Sequence, residues 1–458
     1  MNTLELTIIA AIICYFLLIL FVSIFFRNKK SESSFIIADR NLGSIPITSS
    51  LAASFRDGSG IVAWVGFGFT IGFGSLWIMF GALLGLCVYI GFGPKMRQAS
   101  IEHNAITVGE LIRSALGPVT EKFSAGLVLV FTLVIIAVQL YVAGHLFSIL
   151  LNLELWIGMS IVAIVAGLYL ISGGFSAVIK TDIIQFVLVF SVICIPLTSS
   201  TSSQQLLDMS SLFSFPVIDQ FALFLLGFFF VLSSTDVWQK IFSARNDTVI
   251  KNSFSLAGAL LIVMTISLIW LGITAKTLLS GEISSGQVIF EFFNQAALTT
   301  PMLALLAVVI MAITMSTLDT FCYLFSSSLL KNFLNNKSSD RPTQYIKNSR
   351  MILLLVLFTG SIMALLIYDV IQTILSAASL LFILAPVYIS LGFGWLKNSP
   401  EYDRMVGFSM LISVVVYIVM LLRGDLEQMI LLSVPVFVNT GLLFMLFMYA
   451  RVREYKVA

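Results

Sequence analysis

Ionisable side chains are what this sequence has least of. Lysine and arginine number 25 and aspartate and glutamate 23 among 458 residues, so charged residues make up 10%, against about 25% in soluble domains. That supply cannot coat a water-soluble globule, and a net charge of +2 gives no basic face for nucleic acid. Two histidines, His103 and His145, leave little for a nucleophile–base pair or a metal-assisted hydrolase, so an enzyme is not expected. Four cysteines (Cys14, Cys87, Cys194, Cys322) all fall inside apolar runs and read as small buried hydrophobes rather than disulfides or metal ligands. What is plentiful is apolar: 59% hydrophobic residues and a mean hydropathy of +1.04. These proportions specify an all-α polytopic membrane protein whose surroundings are a lipid bilayer.

A bilayer-spanning helix needs about 20 mostly apolar residues, because no backbone amide can go unpaired in hydrocarbon. Candidate spans fall near 4–26, 46–68, 70–93, 121–150, 154–172, 177–199, 219–239, 252–275, 301–333, 349–368, 370–394, 405–422 and 427–450, which makes 13 transmembrane helices. The first has no small-residue cleavage site and its basic flank follows it, so it reads as a retained helix rather than a signal peptide. With the N-terminus outside and the C-terminus cytoplasmic, 22 of the 25 lysines and arginines fall in cytoplasmic loops. That imbalance is what the positive-inside rule demands of a correct count. Residues 107–116 form a short amphipathic segment with a threonine start, expected to be an interfacial helix, and 335–348 read as a polar cytoplasmic linker. No segment is long enough for a soluble catalytic, nucleotide-binding or sensor domain.

Four charges interrupt the apolar spans: Arg56, Asp57, Asp182 and Asp319. Each costs about 2.5–3.5 kcal/mol at mid-membrane on insertion scales, so they must face one another, water or bound ions. Two structural ion pairs are one reading. They leave a surplus of two negative charges, which a monovalent cation would neutralise. Around the first pair, Ala-Ala-Ser-Phe-Arg-Asp-Gly-Ser-Gly (52–60) sets glycines and serines where a span should be leucine-rich. Such a helix unwinds only where it lines a cavity. Close helix packing explains the later run of Gly66, Gly68, Gly72, Gly74, Gly81 and Gly85 but not Arg56–Asp57. In the ninth span Ser316, Thr317, Asp319 and Thr320 share about one turn and offer the oxygen ligands that hard cations prefer. Their alternative is the ordinary bond of a hydroxyl to its own i−4 carbonyl. Ser233-Ser234-Thr235-Asp236 marks either a second broken helix or the exit of the seventh span. Gln139 and His145 are polar within the fourth span; His145 reads as a structural bond rather than a proton shuttle, and Gln139 as a solute contact or a structural group.

Several segments, taken together, resemble the sodium/solute symporter family, carriers of proline, sugars, sialate and pantothenate. They are Ala38-Asp-Arg-Asn-Leu-Gly43 with Ala52-Ala-Ser54, Ser172-Gly-Gly-Phe-Ser-Ala-Val-Ile-Lys-Thr181-Asp182-Ile-Ile-Gln185, Met315-Ser-Thr-Leu-Asp319 and Asp236-Val-Trp-Gln-Lys-Ile-Phe-Ser-Ala-Arg245. The resemblance implies a LeuT-type 5+5 inverted repeat: a leading helix and loop (1–45), repeat 1 (46–199), an extracellular loop (200–218), repeat 2 (219–394) and two trailing helices (395–458). It implies sodium as coupling ion, held by the carbonyls of Ala53, Arg56 and Ile313 and the hydroxyls of Ser316 and Thr317. A second sodium site would use Asp182 with Ser316, Asp319 and Thr320. The solute would lie near Ser54, Arg56, Asp57, Gly58, Ser59, Gln139, Phe229, Ser233, Ser234, Gln372 and Ser376.

Small or apolar residues are expected where Arg56-Asp57 stand. Arg56 either grips a solute carboxylate, the geometry arginine suits best, or replaces the cation in a sodium-independent or proton-coupled carrier of the same fold. The expected function is sodium-coupled symport of a small organic solute, an amino acid or another carboxylate, by alternating access. The carrier is expected in the cell membrane, working as a monomer on sodium and a small solute, without nucleic acid. A channel would need a pore-lining ring, and none is visible in the sequence.

Overall fold

The computed structural model describes residues 3–25, 36–172, 175–193, 209–279, 281–295, 299–334, 342–395 and 399–457. Their regular structure is helical, and the one isolated bridge pairs Leu42 with Ala244. The first half contains α1 (Thr3–Phe25), α2 (Ser44–Phe55), α3 (Gly58–Ile71), α4 (Leu76–Glu102), α5 (Val108–Ala115), α6 (Pro118–Leu151), α7 (Leu155–Ser172) and α8 (Phe175–Ile193). The second contains α9 (Val217–Ser233), α10 (Thr235–Ser243), α11 (Asp247–Leu278), α12 (Val288–Gln295), α13 (Thr300–Ser328), α14 (Pro342–Ala364), α15 (Val370–Phe382), α16 (Ala385–Phe393), α17 (Pro400–Arg423) and α18 (Val434–Val457).

Among the described residues, nine helices are long and apolar enough to cross a bilayer, or ten if the bent pair α9–α10 counts as one span. One of the nine stretches runs 45 residues from Gly58 to Glu102, about 68 Å at 1.5 Å per residue, over twice the hydrocarbon thickness. It breaks at Gly72, whose φ of 54° admits few side chains.

Three interruptions set the architecture: at Arg56–Asp57, at Ser234 with a 46° bend, and at Ile383–Leu384. Around them the helices pack through missing side chains. A Cβ on Gly81 would run into the Phe224 carbonyl, and one on Gly227 into the Ile78 carbonyl, so α4 and α9 meet backbone to backbone. Gly68 and Gly272 do the same for α3 and α11. The glycine run is therefore a packing device, as small-residue interfaces in membranes are.

Near residues 36–42 the chain makes a left-handed turn, with φ of 49°, 53° and 55° at Ala38, Asp39 and Arg40. Side-chain bonds hold it there. The Arg40 guanidinium donates to Ser100 Oγ at 2.8 Å and to the Ala105 carbonyl at 2.6 Å, and Leu42 pairs by backbone with Ser243 and Arg245 at 3.0 Å each.

Two sequence expectations need correcting. The linker assigned to 335–348 is helical from Pro342, where proline opens α14; residues 335–341 lie outside the described ones. Cys14 and Cys87 sit on exposed helix faces rather than in the core, because apolar runs in this composition supply outward faces too; Cys322 is buried and Cys194 lies outside the described residues. The segment at 107–116 is a helix over Val108–Ala115, as its amphipathic pattern leads one to expect, with a full capping box between Thr107 and Glu110 and four of its eight residues buried.

Candidate functional site

The break between α2 and α3 is built by one carboxylate. Asp57 caps α3: one oxygen accepts from the Gly60 amide and from Ser59 Oγ at 2.8 Å. Gln139 of α6 donates to the other oxygen at 3.0 Å and to Ser59 Oγ at 3.2 Å. Gly58 fits because a Cβ there would meet Thr314 Oγ1 and, at 2.9 Å, Gln139 Oε1. Asp57, Gly58, Ser59 and Gln139 thus form one unit. A carboxylate cap and a glycine start are what an unwound membrane helix needs once its own ladder stops.

Arg56 turns the other way. The residue is 4% exposed, and its guanidinium donates to the Phe55 carbonyl at 2.7 Å, the Leu261 carbonyl at 3.3 Å and Thr265 Oγ1, and lies 4.8 Å over the Trp64 ring. Its Nε has no partner, and among the described residues no carboxylate comes within ion-pair distance of it. Arg56, Asp57, Ser54 and Ser59 line a cavity of about 110 Å³ whose other walls include Trp64, Phe67, Met79, Phe230 and Leu375. The cavity is apolar except at this end.

A second buried cluster lies where α2 packs against α8 and α13. Ser316 Oγ donates to Asp182 Oδ1, and the second Asp182 oxygen has no partner. Asp319 accepts from Tyr169 OH of α7, and its other oxygen is likewise unpartnered. The hydroxyls of Thr317 and Thr320 are buried without partners, and the buried Ser50 hydroxyl faces Asp182. Ala53 and Ile313 are buried beside them in sequence. Gln185 of α8 donates to Tyr15 OH of α1 at 2.8 Å, so the leading helix closes this end. Two carboxylates and the hydroxyls of Ser50, Tyr169, Ser316, Thr317 and Thr320, none of these residues more than 2% exposed, make a buried oxygen-rich cluster. Oxygen donors of that kind suit a hard monovalent cation.

The second break lies at Ser234, and every residue of α10 is buried. Within α10 Lys240 Nζ meets Asp236 Oδ2 at 2.6 Å, and it also donates to Ser54 Oγ of α2 at 2.7 Å. The hydroxyl of Ser233 is buried without a partner, while Ser234 bonds the Phe230 carbonyl at 2.7 Å. Phe229 packs on Phe382 and Phe437, with Phe230 facing the cavity instead. Gln372 donates to the Leu426 carbonyl at 3.1 Å and lies 3.5 Å from Ser376; α15 contributes Ile374 and Leu375 to the cavity wall. His145 stacks on Phe290 with ring centroids 4.3 Å apart.

Sequence reasoning did not single out Tyr15, Tyr169 or Lys240. A tyrosine in an apolar run carries no signal of its own, since its hydroxyl finds its partner only through the tertiary fold. Lys240 was countable as a loop cation, and its i,i+4 spacing from Asp236 was the available clue.

Residues 35–203 match the sodium:solute symporter family. The high-affinity proline transporter PutP of Bacillus subtilis is 27% identical over 182 residues, 38% of either chain. The sodium/proline symporter 2 of Staphylococcus saprophyticus is 27% identical over 198 residues, 41% of this chain and 38% of its own. The alignments therefore reach little more than a third of these curated relatives' length. A Na+-coupled sialic acid symporter in a substrate-bound outward-open state superposes with a TM-score of 0.79, at 15% identity, over 96% of both chains. A nucleobase–cation symport-1 family transporter in a closed conformation gives 0.56 at 13% identity, over 92% of this chain and 96% of its own. Residues 35–203 are thus similar to the sodium:solute symporter family, and the fold of nearly the whole chain is similar to that of a Na+-coupled sialic acid symporter.

Proposed function

We propose that the protein is a secondary active transporter that couples inward sodium movement to uptake of a small organic solute by alternating access. The observation that carries this reading is Asp182: fully buried, held by Ser316, with one oxygen unpartnered. A bare buried carboxylate costs several kcal/mol, and a cation beside it removes that cost. In this reading the carbonyls of Ala53, Arg56 and Ile313 and the hydroxyls of Ser316 and Thr317 hold one sodium ion. Asp182, Asp319 and Thr320, with Ser316, hold a second.

Sodium binding joins the broken end of α2 to α13 and favours the solute-ready state. Linkage makes the coupling reciprocal, so solute tightens sodium by the same factor. Each positive charge moved inward yields about 2.3 kcal/mol per 100 mV, or about fiftyfold accumulation.

The solute lies in the cavity at the first break, near Ser54, Asp57, Gly58, Ser59 and Gln139; Phe229, Ser233, Ser234, Gln372 and Ser376 stand outside its lining. Its carboxylate supplies the counter-ion that Arg56 lacks. The proline named for the sequence relatives carries such a group. The rival role, Arg56 replacing the cation, finds less support, because the guanidinium's bonds run to α11 and its own segment rather than to Asp182 or Ser316. Thirteen crossings in a 5+5 inverted repeat, N-terminus outside, complete the proposed layout in the cell membrane.

The test is binding by the purified protein across amino acids, organic acids and sugars, with and without sodium, repeated with Asp182→Asn and Ser316→Ala. Sodium should raise affinity for one class, and both variants should need more sodium for that response. If sodium changes the binding of no ligand and both variants match the parent, the coupling reading fails.

A further inference from the structure

The two interrupted helices are joined by a single buried charge. Lys240 is 1% exposed and has two partners, Asp236 within its own helix and Ser54 on α2. Ser54 is the last residue but one of α2 and lines the solute cavity. One ammonium therefore fastens the end of the first broken helix to the far half of the second.

Beside this tie, α10 is poorly matched to its surroundings. A cavity of about 20 Å³ separates it from α13 and from α5 and α6, with Ser124, Thr235, Gln239, Ser327, Ser328 and Asn332 on its walls. Three of the polar atoms there are buried and unpartnered: Ser124 Oγ, Thr235 Oγ1 and Gln239 Oε1. A cavity of this size with polar walls has room for a single water, so the seam beside α10 is joined by polar contacts rather than by close apolar packing, and the neighbouring face of α10 is held by a charge-assisted bond.

We propose that the Lys240–Ser54 bond is a latch on the cytoplasmic release route, and that its breaking lets α10 leave α2 and opens the seam between α10 and α13. The arrangement suits a repeatable latch. Asp236 sits on the same helix as Lys240, four residues away, so the ammonium keeps its counter-charge when Ser54 lets go and no bare charge is stranded. Ser54 follows Ala53, a ligand in the sodium reading above. Resting on that reading, an ion that orders the end of α2 keeps Ser54 in place for Lys240, and sodium holds the seam shut.

The experiment is cysteine accessibility in the full-length protein with Cys14, Cys87, Cys194 and Cys322 replaced by serine. A single cysteine replaces Ser124 or Ser327, and a membrane-impermeant maleimide is applied to inside-out and right-side-out vesicles, with and without sodium. Labelling should occur from the cytoplasmic side, faster without sodium. Ser54→Ala, which removes the acceptor and leaves the ion pair, should raise the labelling rate about tenfold, the factor expected for one hydrogen bond to a charged group. Lys240→Met with Asp236→Leu removes the pair without leaving a lone charge and should do the same. Unchanged labelling at both positions in both backgrounds overturns the latch, as does failure of either position to label in any background. If Ser54→Ala raises labelling but sodium has no effect on the parent, the latch stands and the sodium-coupling reading is the one that falls.

Discussion

Gln139 Nε2 lies 3.0 Å from Asp57 Oδ2 and 3.2 Å from Ser59 Oγ, so one amide on α6 fixes both the cap and the first turn of α3. Replacing it with alanine leaves the second oxygen of Asp57, a half-buried residue on the cavity wall, without a donor. A hydrogen bond to a charged group contributes about 1.5–3 kcal/mol, and solute affinity should fall about ten- to hundredfold. Gln139→Glu should be worse, because it sets a second carboxylate against the first. Equilibrium binding with sodium present checks both, and a glutamate variant that binds like the parent would show that Asp57 is not held ionised by this contact.

Ser316 and Asp182 act as one unit in the structure, so their variants should not add. Ser316→Ala is expected to raise the sodium concentration for half-maximal solute binding about tenfold, and Asp182→Asn about a hundredfold, the range expected for lost bonds to a charged group. In the Asp182→Asn background the serine change should cost nothing further, giving a coupling energy of about 0.5–3 kcal/mol for residues in contact. Sodium titrations of the four proteins close the cycle. Strict additivity would mean that the two side chains serve separate sites.

How much of this was legible in the chain depends on what each residue's signal required. Arg56–Asp57 was visible because charge and glycine are anomalous inside an apolar run, and the structure breaks the helix there. The polar patch at 233–236 left two readings open, and the 46° bend at Ser234 decides for the broken helix. Asp182 and Ser316 were visible singly, but their hydrogen bond spans 134 residues and follows only from the tertiary fold. Phe229 and Phe230 illustrate the opposite limit. Adjacent phenylalanines have equal hydrophobicity, and a 100° step around α9 sends one to Phe382 and Phe437 and the other to the cavity.

Arg56 offers a sharper test of the solute's chemistry. Arg56→Gln removes the cation yet keeps a planar donor, and Arg56→Lys keeps the charge but loses the fork that suits a carboxylate. Carboxylate solutes should bind about ten- to hundredfold more weakly to the glutamine variant, by the loss of a charge-assisted bond, with lysine in between. Sodium protection against thermal unfolding, measured without solute, should remain. If the glutamine variant instead loses sodium protection and keeps its solute, the guanidinium serves the ion site and the carboxylate assignment is wrong.

The backbone contact between α4 and α9 sets the pivot on which the second broken helix hangs. Gly227 lies against the Ile78 carbonyl and Gly81 against the Phe224 carbonyl, with no room for a Cβ at either. Overpacking a tight interface typically costs about 1–3 kcal/mol, and here the obstacle is backbone, which cannot rotate aside. Gly227→Ala should therefore lower the thermal midpoint of the detergent-solubilised protein and pry α9 from α4, whereas Gly91→Ala, with nothing within 4 Å, should leave it unchanged. Because Gly227 also borders the solute cavity, solute affinity should fall together with stability. A Gly227→Ala protein as stable as the parent would mean that α4 and α9 stand further apart in the membrane than they do here.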